Sequence, residues 1–330
     1  MAYKKPLEGA AIGDSNGMGN WAARAVGAGT RMIRREGSLT LMMLPGLVLF
    51  FLFSYLPMAG LIIAFKDFKF NEGIWGSAWQ KPIFNNFIFL FSSSGVLRAT
   101  RNTLVLNALF IFVGTIVALI FAISLNEVSS VFFKKSVQSL SFLPYFMSWI
   151  VISVMTYGIF AEEYGTLNNI LMGLGFEKIS WYTTPSFWPY MLVGIYIFKN
   201  AGYYAVIYLA TIAGIDATCY EAAEIDGASR FQRIIYITVP LLVPTVIILT
   251  LLDIGRIMNA DFGMFYGLVG DNAVVYSTTD VLDTYIYRAL RKIGDIGMSS
   301  AASFYQSVVS FIVLYICNKA AKKLEGTSLF

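Results

Sequence analysis

Six long apolar runs, each bounded by polar or charged residues, dominate the chain: Leu39 to Phe65, Asn102 to Leu125, Val137 to Phe160, Trp188 to Ala213, Ile235 to Ile257 and Met298 to Asn318. Each is close to the 20 or so residues a helix needs to cross a bilayer. The first three hold no charge, and Pro45, Pro57 and Pro144 lie inside or at the ends of runs, which membrane helices tolerate when neighbours satisfy the freed carbonyls. The pattern predicts an all-α, polytopic membrane protein of six transmembrane helices. A polar insert, YEAAEIDGASRFQRIIYITVP, separates the fourth and fifth runs. Residues 217–226 suit a short helix, with Asp216 as its N-cap and Glu221 and Glu224 toward its positive end. Gly227 interrupts it. A glycine inside a helix costs about 1 kcal/mol relative to alanine, so this one marks a sharp turn or a close backbone approach. Arg230 and Arg233 then lie among Phe231, Ile234 and Ile235, which gives helix, turn, helix. An amphipathic helix resting on the membrane surface is the plainer alternative.

Composition agrees with the pattern. Of 330 residues, 57% are hydrophobic and only 13% charged, far from the soluble norm of about 25% charged. The net charge of +4 is small and its positive side chains sit mainly between runs, so they speak of orientation and not of nucleic acid. The chain has no histidine, which removes the commonest general base and metal ligand, so triad or zinc catalysis is excluded and no metal site is expected. Cys219 and Cys317 have no recognisable pairing and read as buried thiols. Residues 1–37 form a Gly-rich, basic N-terminal segment with Arg31, Arg34 and Arg35 just before the first run, 38–320 the six-helix domain with the insert at about 216–233, and 321–330 a tail. Because basic residues favour the cytoplasmic side, these clusters, with Lys134, Lys135, Arg230, Arg233 and Lys319, place both termini and the insert in the cytoplasm. No GxxxxGK[ST] phosphate loop occurs, so ATP chemistry would need another chain.

The insert carries a resemblance. Glu221, Ala222 and Ala223, three residues, Gly227, nine residues, then Ile237 and Pro240 resemble the EAA signature of permease subunits of ABC importers, with Val239 in place of its leucine. The segments LPGLVLFFLFSYLPMAGLIIAFKDF, LRATRNTLVLNALFIFVGTIVALIFAISLNEV, SLSFLPYFMSWIV and DVLDTYIYRAL are similar to those of carbohydrate-uptake permeases, above all the branch importing aldouronates and pectin or alginate fragments. The resemblance implies a type I ABC importer permease fold in the bacterial inner membrane. It also implies a second homologous permease, two ATPase subunits that bind ATP and Mg, an external solute-binding protein and an oligosaccharide cargo. It makes Glu221, Ala222, Ala223, Asp226 and Gly227 a coupling helix for the ATPase, with Asp216, Arg230 and Arg233 as flanking contacts. Relatives often have His where this chain has Tyr145.

Polar side chains inside spans are costly and therefore functional candidates. The fourth run holds Tyr196, Lys199, Asn200, Tyr203, Tyr204 and Tyr208. Lys199 lies roughly 16 Å from its start, near the midplane. Tyr196, Asn200 and Tyr203 share a face by their i, i+4, i+7 spacing, and they resemble the sugar-contacting positions of maltose-type permeases. Aromatic faces and an amide suit a carbohydrate, though a span tyrosine equally serves packing or the interface belt. In the fifth run Asp253, Arg256 and Asn259 share a face; Asp253 with Arg256 reads as an ion pair, or Arg256 and Asn259 as the mouth of a cavity. Lys199 and Arg256 could together neutralise uronate carboxylates. Tyr145, Trp149 and Gln306 are further candidates for this pathway. The rival functions are import of another small polar solute by the same machinery and an ion-coupled secondary transporter.

Overall fold

The computed structural model describes residues 37–325; the expected basic segment before them and residues 326–330 of the expected tail lie outside the described residues. The described residues divide into two compact units, one up to Gly60 and one from Leu61 onward. In the first, α1 (Gly37–Phe50) passes into a π-helical turn over Phe51–Tyr55 and then a 3-10 helix, Leu56–Phe65, that continues into the second unit. Pro57 accounts for the change of winding. It lacks the N–H that would reach back to the carbonyl of Phe53, so the helix rewinds around the freed acceptor.

The second unit is built on α2 (Ser94–Asn126), α3 (Val131–Phe142), α4 (Trp149–Phe160), α5 (Trp188–Ala213), α6 (Ala217–Ile225), α7 (Val239–Ile254), α8 (Phe262–Val269), α9 (Leu282–Arg288) and α10 (Ile296–Glu325). Among the described residues five helices are long and apolar enough to cross a membrane, and a sixth results if the bent pair α3 and α4 counts as one span. At the centre α2 packs on α5. Ala118, Ala122 and Ala205 let the backbones approach, and Leu125, Tyr208, Leu209 and Ile212 fill the seam with Leu242 of α7. Tyr208 is thus a core residue, 1% exposed. Phe112, Ile150 and Phe311 point outward, which suits side chains whose solvent is lipid.

The third apolar run is not one straight helix. α3 and α4 meet at 102°, joined by a 3-10 turn over Leu143–Phe146 and an extended Met147. Pro144 contributes no donor there, and the Ser148 hydroxyl accepts the Val151 N–H to start α4 afresh. A hydropathy pattern registers only that both arms are apolar, so it merges them.

The connections between spans are ordered. Lys66, 4% exposed, donates to the Ile74 carbonyl at 2.7 Å and lies over the Trp79 ring. The Asn168 amide donates to the carbonyls of Glu162 and Ile179 and accepts from Ile179 and Trp181. Residues 276–284 dock on the start of α2: Asn102 donates to the Asp280 carbonyl, the Leu282 N–H donates to Thr103, and the buried Asp280 carboxylate sits between Arg98 and Arg288. Cys317 is half-buried, but Cys219 is exposed, contrary to its sequence reading, because α6 buries none of its residues.

Candidate functional site

Two regions hold the residues singled out by sequence. The first is the insert. Asp216 caps α6, its carboxylate accepting the Thr218 N–H at 2.9 Å, and this hydrogen bond holds the carboxyl below its usual range. Gly227 takes φ +77°, a conformation that side-chain-bearing residues adopt only with strain, and so turns the chain. Ser229 and Gln232 form a capping box that starts the next helical turn, Arg230–Arg233. Arg233 then reaches back to Glu224 at 2.9 Å and ties the two arms together. Glu221, Ala222, Asp226 and Arg230 stay exposed and Ala223 is half-buried, while Ile225 and Phe231 expose 87% and 70% of their surface. Both are large apolar side chains that the fold leaves uncovered beside charged residues.

The second region surrounds the α3–α4 break. Gly202 of α5 packs so closely on Ser141 of α3 that no side chain fits between them. That approach brings Lys199 to the break. Its ammonium donates to the carbonyls of Tyr145 (2.9 Å) and Met147 (2.5 Å) beside the interrupted helix, and at 3.5 Å to that of Pro144, which also accepts the Met147 N–H. An ammonium has three hydrogens and here meets three carbonyls. It also lies over the rings of Tyr145 and Trp149. Tyr145 stacks on Tyr203 with centroids 4.3 Å apart, and Trp149 donates its indole N–H to Asp261 at 2.6 Å. Tyr145, Trp149, Lys199 and Tyr203 therefore form one cluster, with Lys199 spent on the fold.

Asp261 also lines an adjoining cavity of about 330 Å³, together with Tyr196, Asn107, Asp253, Arg256 and Asn259. Tyr196 stacks flat on Phe110 at 4.6 Å, with Gly114 leaving room for its ring. Arg256 and Asn259 are exposed at the cavity wall. The expected Asp253–Arg256 ion pair does not form. The Asp253 carboxylate is instead engaged by α5, both of its oxygens accepting the Tyr204 hydroxyl at 2.8 and 2.9 Å. Asn200 joins neither group, because its amide donates to the Tyr196 carbonyl of its own helix at 3.0 Å. Gln306 is buried behind the wall, where it donates to the Met258 carbonyl at 2.6 Å and to Asp283.

Asn107 and Asp283 escaped the sequence reading. Asn107, 9% exposed, donates to the carbonyls of Ile257 (2.7 Å) and Asn259 (3.3 Å). An amide well inside the second apolar run was the available signal. Asp283 accepts the Ala260 N–H at 2.7 Å; burial pushes its carboxyl up, against the pull of the hydrogen bonds from Ala260 and Gln306.

The model of one protein family, the binding-protein-dependent transport system inner membrane component, matches residues 111–324. Protein LplB of Bacillus subtilis (strain 168) is 35% identical over 298 residues, covering 90% of this chain and 92% of that one. The polygalacturonan/rhamnogalacturonan transport system permease protein YteP of the same organism is also 35% identical, over 88% and 90% of the two chains. Among solved structures, a chain of a bacterial alginate ABC transporter in complex with an alginate pentasaccharide-bound periplasmic protein superposes with a TM-score of 0.82. That pair shares 31% identity over 91% of this chain and 99% of the other.

Proposed function

The chain belongs to the family of binding-protein-dependent transport system inner membrane components, and from that premise we propose that it is the permease subunit of an ATP-driven oligosaccharide importer. Cargo comes from an external binding protein and crosses by alternating access of a cavity completed by a second, homologous permease. Two ATPase subunits bind and hydrolyse ATP with Mg; this chain carries no catalytic residue and takes their motion through its insert. Both termini and the insert face the cytoplasm, as the basic clusters favour.

The observation that carries the reading is the cavity, in which Tyr196 offers an aromatic face, Asn259 an amide and Arg256 a guanidinium. Sugar rings stack through their C–H faces and hydrogen-bond through their hydroxyls, so this set matches their surface. Relatives named for polygalacturonan and alginate transport support the cargo class. Tyr145, Trp149 and Tyr203 extend the aromatic lining, Lys199 shapes it through the break, and Asn200 supports Tyr196 from behind. On the other side Asp216, Glu221, Ala222, Ala223, Asp226, Gly227, Arg230 and Arg233 form the coupling element.

The test is ATP-dependent uptake of labelled neutral and uronate oligosaccharides into proteoliposomes holding this chain with its second permease, ATPases and binding protein. Glu221→Lys is expected to abolish uptake while the protein still inserts. Unchanged uptake would overturn the coupling assignment, and the absence of any oligosaccharide uptake by the complete wild-type assembly would overturn the cargo class.

A further inference from the structure

Between α7 and α8 the backbone leaves the α-helix for a run of tight turns: the Arg256, Ile257 and Asn259 N–H groups bond the carbonyls of Asp253, Ile254 and Arg256 at 3.0, 3.0 and 2.8 Å, after which no regular structure forms until Asp261 caps α8. Non-helical backbone inside a membrane protein persists only where its polar groups find partners. Here the partners are side chains from three other elements. Asn107 of α2 takes the carbonyls of Ile257 and Asn259, Gln306 of α10 takes that of Met258, and Asp283 of α9 takes the Ala260 N–H. The Gln306 amide also donates to the Asp283 oxygen at 3.1 Å, so these two hold the segment as a unit. Met258, fully buried, anchors it in a core with Leu90, Val96, Leu282 and Met298. Arg256 and Asn259, on either side of Met258, are left facing the cavity.

We infer that Asn107, Asp283 and Gln306 are positioning residues for cargo passage: they fix the non-helical segment so that Arg256 and Asn259 present their polar groups to the oligosaccharide. This rests on the cavity being the cargo path. Asn107 also lines the cavity, whereas Asp283 and Gln306 act from behind its wall without touching cargo. Their effect is geometric, and a displacement of about 1 Å in a positioned group can cost as much as a hundredfold.

The experiment compares Asn107→Leu, Gln306→Leu and Gln306→Glu with Arg256→Ala and Asn259→Ala in the reconstituted importer. Two quantities are read: KM for uptake, and the thiol-labelling rate of Asn259→Cys in a chain whose Cys219 and Cys317 are replaced by serine. The clamp variants are expected to raise KM roughly tenfold, to lower the maximal rate less, and to change the labelling rate. Gln306→Glu preserves size and covers the case in which the leucine variant does not insert. Adding Asp283→Asn to Gln306→Glu restores a donor facing an acceptor and is expected to recover part of the loss. If Arg256→Ala and Asn259→Ala raise KM while the clamp variants leave KM and labelling at wild-type values, the positioning role is overturned and the cargo path stands. If Arg256→Ala and Asn259→Ala leave KM unchanged, the cavity is not the path and both readings fall.

Discussion

A Cβ added to Gly202 would stand 2.0 Å from the Ser141 carbonyl oxygen, well inside any permitted contact. The two helices touch backbone to backbone there, and the contact sets how far Lys199 can reach into the α3–α4 break. Gly202→Ala is therefore expected to destabilise the protein by at least the roughly 1–3 kcal/mol of an overpacked core, since backbone cannot swing aside as a side chain can. Gly194→Ala, on the same helix with nothing within 4 Å, is the control and should be neutral or stabilising. Thermal unfolding of the detergent-solubilised chain checks both.

Lys199→Met would take this donor from the Tyr145 and Met147 carbonyls, while that of Pro144 keeps the Met147 N–H. A buried polar group that loses its partner costs about 1–3 kcal/mol, so the bend should loosen. Because the ammonium is engaged by the fold, the loss of uptake is expected to be equal for neutral and uronate cargo. Arg256 has no ion-pair partner among the described residues. Arg256→Gln should therefore weaken uronate uptake more than neutral uptake. A selective loss with Lys199→Met would return the charge recognition to Lys199.

Tyr204→Phe removes the hydroxyl that both Asp253 oxygens accept. The carboxylate would be left half-buried without that bond, for an expected loss of about 1–3 kcal/mol. Tyr204→Phe combined with Asp253→Asn should recover much of it, because an uncharged amide is less costly to leave there. Unfolding midpoints of the two single variants and the double variant give the coupling energy directly.

Within the insert, Asp216→Ala should destabilise α6 through the lost cap. Gly227→Ala should cost roughly 1–2 kcal/mol, because a side chain is strained at its positive φ. Glu224→Gln should cost less than about 1 kcal/mol, because its pair with Arg233 is solvent-exposed on the Glu224 side. The Asp216 carboxyl is held below its ordinary value of 3.8, so the cap contributes fully above that pH and is lost as pH falls through the lowered value. Hydrogen exchange at the Thr218 amide, compared between neutral and acidic buffer, reads this out.

The sequence alone determined the elements whose causes are local. Apolar runs of membrane length made spans, Asp216 capped α6, and Gly227 turned the chain, because each depends on neighbours within a few residues. It also identified the family through the spacing of Glu221, Ala222, Ala223, Gly227 and Pro240. What it could not show was which distant groups meet. That Lys199 serves the carbonyls of Pro144, Tyr145 and Met147 depends on two helices crossing at Gly202. Asn107, Met258, Asp283 and Gln306 lie on four different elements, and nothing in their spacing announces that together they hold one short stretch of unwound backbone. The break at Met147 was hidden for the same reason. Hydropathy records how much a segment prefers lipid, whereas a bend is decided by whether the carbonyls it frees find donors elsewhere in the fold.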